Sequence, residues 1–228
     1  MDAIDLNTLF PDYENKMEAK KSKIKKGPKV VHLAYLSQHL SPEDIEGFEK
    51  DLSLLDLQLS SYDNSGVPQN SLSGMVSDAT LFVTQPGIVG ILTSGLLTNA
   101  VYDGLKTFII ACWKKVTNKP TVSMTTRTVT ERTSRFSMVV KVDDKVTLEF
   151  TTESLDESTL KFAIDHISSS LDKFKLSGSE TECIGMKYDK PTALWLPSNT
   201  FNQPEIIRTV TLDEYIQEIN RNSTERSV

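Results

Sequence analysis

Cysteine is scarce in this chain, and its scarcity removes several classes at once. Of 228 residues only Cys112 and Cys183 are cysteines, with no CxxC pair. A disulfide-stapled scaffold and a thiolate zinc site are thereby excluded, and two isolated thiols suit a reducing, cytoplasmic setting. Histidine is limited to His32, His39 and His166, none with a second His or Cys at ligand spacing, and HExxH does not occur. A histidine-held metal therefore has no support. The glycine patterns that let backbone approach a phosphate, GxGxxG and GxxxxGK[ST], are missing, as is the GxSxG turn of acyl-transferring hydrolases. No cofactor is expected.

The first ten residues, Met1 to Phe10, carry acids and polar groups where a secretory leader needs a basic end followed by an apolar stretch. Export by that route is not expected. Charge is missing from one long stretch: between Asp78 and Asp103 there are 24 consecutive uncharged positions. A bilayer needs roughly 20 apolar residues, but Thr80, Thr84, Gln85, Pro86, Thr93, Ser94, Thr98 and Asn99 dilute this run. A buried helix fits it better than a membrane span.

What is present is an ordinary globular composition, 38% hydrophobic and 25% charged, in a chain long enough to bury a large core unaided. The net charge of −6 is unevenly spread, because residues 14–29 sum to +5 and leave −11 for the remainder. Lys20, Lys21, Lys23, Lys25 and Lys26 lie in that basic stretch and are the candidates for contact with an anionic partner. Nucleic-acid or membrane contact is the less favoured reading beside a solvated arm.

Periodicity gives the fold class. Residues 29–37 read as a buried strand, and Ser41-Pro42-Glu43-Asp44 opens a helix whose Ile45, Phe48, Leu52 and Leu55 form one apolar face. Strands are expected at 57–62 and 80–84, followed by a central apolar helix over 87–116. Beyond Pro120 the period becomes two: 122–124, 136–142 and 146–150 read as a three-stranded antiparallel meander, turning at Asp143-Asp144-Lys145. Ser154-Leu155-Asp156-Glu157 is a capping box for a helix to residue 174, short strands flank Asp189-Lys190-Pro191, and Thr211 opens a last helix. The class is α+β: an antiparallel or mixed sheet packed by a long central apolar helix and two amphipathic helices. The expected organisation is a lysine-rich arm at 1–28, a core domain at 29–176 and a C-terminal extension at 177–228.

On the central helix Asn99, Tyr102, Asp103 and Lys106 share a face by spacings of three and four, which marks them as candidate partner contacts. The succession SPEDIEGFEKDL, LFVTQPGIVGILTSGLLTNAVYDGLKTFI and LEFTTESLDESTLKFAI resembles a layout recurring in uncharacterised bacterial α/β proteins, over roughly residues 29–174. That resemblance implies an accessory or sensing module of a bacterial multi-gene system, and brings no catalytic residues with it. The expected function is a non-enzymatic protein-interaction or regulatory module, with an unknown protein partner or self-association through the central helix. Two alternatives stand beside it: an effector whose central helix, residues 87–113, docks on or inserts into membrane, and a metal-dependent nuclease using Asp143 and Asp144.

Overall fold

The structure, a computed structural model, describes Glu18 and residues 24–65, 77–93, 100–124, 127–152, 155–174, 182–198 and 206–225. Strand β1 (Val30–Tyr35) leads to helix α1 (Pro42–Ser53), then β2 (Gln58–Asp63) and β3 (Ala79–Val83). Helices α2 (Pro86–Thr93) and α3 (Ala100–Val116) follow, then β4 (Pro120–Met124), β5 (Thr128–Thr133), β6 (Phe136–Lys141) and β7 (Val146–Thr151). The chain continues through α4 (Glu157–Asp165), α5 (Ile167–Phe174), β8 (Glu182–Asp189), β9 (Leu194–Pro197), β10 (Ile206–Thr211) and α6 (Leu212–Glu225).

Helix ends follow local chemistry. Ser41 Oγ accepts the Asp44 N–H at 3.2 Å while the Asp44 carboxylate accepts the Ser41 N–H at 3.0 Å, with Pro42 in the first turn. Thr211 and Glu214 repeat the reciprocal cap on α6, at 3.3 and 2.9 Å. Asn118, just past α3, adopts φ of 62°, a left-handed turn that asparagine tolerates better than most residues.

Seven strands form one mixed sheet in the order β2-β1-β3-β6-β7-β8-β9, and three form an antiparallel sheet in the order β10-β5-β4. The units β1-α1-β2 and β7-α4-α5-β8 each join parallel neighbours through helix, as a parallel crossover requires. Register aligns Leu33, Leu81, Met138, Phe150 and Met186 in one row across five strands. That row and its neighbours form a single buried core with Ile45, Phe48, Leu105, Ile109, Leu160 and Leu171 from the helices. On the opposite face His32, Phe82, Val139 and Glu149 are only half-buried, so helices cover one side of this sheet.

The α+β class holds; of the expected central helix, α2 and α3 are described and residues 94–99 lie outside the described residues. Three local features differ from the sequence reading. Strand β4 does not extend the β6–β7 hairpin; it pairs with β5 in the second sheet. Its alternation was legible but its sides were reversed, because Thr121 is the buried side chain while Val122 and Met124 are exposed. The helix over 157–174 breaks at His166, whose ring Nδ1 takes the Phe162 carbonyl at 2.8 Å while its own N–H turns back to Ala163. Its N-cap is Asp156, with Ser154 outside the described residues. Finally, the sheet runs past residue 176: β8 and β9 complete it, and the Trp195 indole donates to the Ala163 carbonyl at 2.8 Å and packs edge-on against Phe150.

Candidate interaction surface and its buried anchor

The small sheet is tied to the large one by a polar cluster at a single sheet edge. The parallel and antiparallel pairings bring the C-terminal ends of β1 and β7 and the N-terminal ends of β3 and β6 to that edge. Asp78, immediately before β3, is wholly buried there and receives donors from β4, from β5 and from the turn before β6. Arg132 of β5 reaches it with two nitrogens, at 2.6 and 3.1 Å, and the Arg135 backbone N–H adds 2.8 Å. Thr121 of β4, directly opposite Arg132 in the ladder, donates its hydroxyl to Asp78 at 3.1 Å and accepts from the Gln38 amide at 2.6 Å. The donors offset the cost of taking this side chain out of water, and removing any partner leaves the rest stranded.

His39 completes the cluster. Its ring is almost fully buried, with Nε2 3.9 Å from Asp78, and Nδ1 has no hydrogen-bond partner among the described residues. Burial holds its pKa below the ordinary histidine value; Asp78 works against that shift, while Lys119 and Arg132 reinforce it. The neutral ring therefore belongs to the fold.

Beyond this anchor the small sheet and α6 carry an unusual surface. Among the described residues ten large apolar side chains are exposed, and six of them are Val122, Met124, Ile206, Ile207, Ile216 and Ile219, on β4, β10 and α6. Arg208 of β10 bridges Glu131 of β5 at 2.7 Å and Glu218 of α6 at 3.0 Å, which holds the helix against the sheet. The apolar positions left outside this arrangement are in water.

The residues singled out from sequence lie elsewhere. Tyr102 is buried and donates its hydroxyl to Asp165 of α4 at 2.8 Å; burial and that carboxylate raise its pKa. Lys106 pairs with the same carboxylate at 2.6 Å, a bridge between α3 and α4 within the chain. Asp103 is exposed, and Asn99 lies outside the described residues. The remaining apolar length of α3, from Leu105 to Val116, is committed to the chain's own core. Of the basic stretch, Lys20, Lys21 and Lys23 lie outside the described residues; Lys25 pairs with Glu49 at 3.1 Å and Lys26 is exposed.

Asp143 and Asp144 sit in the β6–β7 turn, on the rim of a concavity of about 580 Å³ that also meets Gln85 and Pro86. The Asp143 carboxylate accepts the Lys145 and Val146 N–H groups at 2.7 and 2.8 Å, and Asp144 pairs with Lys141 at 2.8 Å. Both are turn chemistry. Among the described residues no three His, Cys, Asp or Glu side chains gather as a metal-binding group, and no helix is long and apolar enough to cross a membrane.

Sequence reasoning passed over Asp78, Thr121 and Arg132. The signal was faint: Asp78 bounds the uncharged run, and β5, TVTERT, holds one apolar residue in six. No family model, no curated protein and no solved structure matches this chain.

Proposed function

We propose that this chain is a non-enzymatic protein-interaction module whose contact surface is the small sheet with α6, held on the seven-stranded sheet by the Asp78 cluster. The observation that carries the reading is the concentration of exposed apolar side chains on β4, β10 and α6. Apolar positions scattered singly need no explanation, whereas a group on one subassembly marks a contact surface. An accessory role in the cytoplasm of a bacterium, within a multi-gene system, belongs to the same proposal.

The test is the double substitution Ile216→Asp and Ile219→Asp, read by light scattering over a range of protein concentrations and by cross-linking. The expected result is loss of association with the thermal midpoint within a few degrees of wild type, since both residues are about half exposed and their replacement disturbs little packing. Association unchanged both by this double variant and by substitution on β4 would overturn this surface.

A further inference from the structure

We infer that β4 is a pairing edge that joins a second copy of this chain, strand to strand and antiparallel, into a continuous six-stranded sheet. The inference rests on the interaction reading above and names its partner.

Four edges deserve comparison. On the large sheet, β9 ends in Pro197, and β2 is flanked at Ser60, whose hydroxyl accepts the Lys25 backbone N–H at 3.0 Å. On the small sheet, β10 carries a bulge between Ile206 and Arg208 and a charged side chain. Bulges, prolines and charges are the devices that keep edges from pairing. Strand β4, PTVSM, has no charge and no bulge, and its one proline stands at the first position, where a strand tolerates it. Among the described residues no strand covers its outer side.

The ladder shows which groups face out. Ser134 donates its N–H to the Lys119 carbonyl at 2.7 Å, which makes 119 and 134 a hydrogen-bonded pair. In an antiparallel ladder such pairs alternate, so Thr121–Arg132 and Ser123–Thr130 are bonded inward while Val122 and Met124 turn their N–H and C=O groups to the open edge. A two-fold axis through Ser123 sets Val122 opposite Met124 of the second copy. The four outward groups of Val122 and Met124 in each strand are then paired, and the exposed side chains, 40% and 58% accessible, meet across the new ladder. Because the strand is neutral, the axis opposes no like charges, and an uncharged alternating strand is its own complement.

The axis also places Ser123 opposite itself in a non-hydrogen-bonded pair, with Cα atoms about 4.5 Å apart, inside the range a disulfide spans. The test uses the full chain with Cys183→Ser, since Cys183 is exposed and Cys112 is buried. Ser123→Cys in this background should form a disulfide-linked dimer under mild oxidation. Val122→Pro, which removes the outward N–H and leaves the β5 ladder intact, should weaken the dimer at least about tenfold in sedimentation equilibrium. Ser123→Lys, which opposes two like charges on the axis, is the second variant should the proline disturb folding, and it should also give monomer. A chain that is monomeric throughout overturns the inference. So does a dimer indifferent to both β4 variants but lost with Ile216→Asp and Ile219→Asp, an outcome that leaves the interaction reading standing.

Discussion

Asp78 shows how much can depend on one side chain. Wholly buried, it accepts from Arg132, from Thr121 and from the Arg135 backbone, so its loss leaves a buried guanidinium and a hydroxyl without this acceptor. Asp78→Asn is expected to lower unfolding free energy by about 3 to 5 kcal/mol, measured by urea titration at neutral pH. His39 makes the same cluster acid-sensitive. Its folded pKa is held below the ordinary histidine value by burial, so as pH falls through the ordinary histidine range the unfolded chain takes up a proton that the folded chain refuses. Stability is therefore full above that range and declines below it. Urea midpoints at pH 7.5 and 5.5 should show the decline in wild type and a shallower one in His39→Gln; an equal slope in both would remove His39 as the cause. His32, whose pKa is also lowered by burial, accounts for part of the residual slope.

At the scale of elements, the helical glycines Gly87 and Gly104 have different surroundings. A Cβ on Gly104 would overlap the end of the Leu55 side chain, which is flexible and partly exposed; a Cβ on Gly87 would lie 2.7 Å from the Pro28 carbonyl oxygen, which belongs to backbone. Gly104→Ala should thus be close to neutral, the gain in helix propensity offsetting a rotamer change, while Gly87→Ala should destabilise by about 1 to 3 kcal/mol in thermal or urea denaturation. Elements with a strong period or a reciprocal cap were legible in the sequence: α1 from Ser41 and Asp44, α6 from Thr211 and Glu214, and the β6–β7 hairpin from its alternation around Asp143. Those that take their side from a distant partner were not. Nothing local tells β4 that Thr121 will be drawn under Asp78, 43 residues away, or tells the 157–174 helix that a histidine ring will take a carbonyl from its ladder. The contact surface was illegible for the same reason: Val122 and Met124 look like core until the anchor shows which side is buried.

For the whole molecule, the arrangement implies unequal protection. Strands β3, β6 and β7 lie inside the seven-stranded sheet with neighbours on both sides and their apolar rows buried, whereas β10 is an edge strand under a helix whose residues are largely exposed. Hydrogen exchange followed by mass spectrometry should place the amides of β6 and β7 in the slowest class, opening only with global unfolding, and those of β10 and α6 in a faster one. Uniform protection across both sheets would instead show that they open as one unit.

The pairing of β3 with β6 also orders events during synthesis. Strand β3 has β1 on one side, but its other neighbour begins at Phe136, so Ala79 meets a residue 57 positions later in the chain. While a ribosome is still extending the chain between them, β3 stands as an open edge in the middle of the future sheet, and non-local pairing of this kind is slow to form. The β6–β7 hairpin, closed by a short local turn, is the piece that arrives ready-made to cover it. Translation pausing before residue 136 would accordingly prolong the interval in which the nascent chain is open to association through the wrong strand.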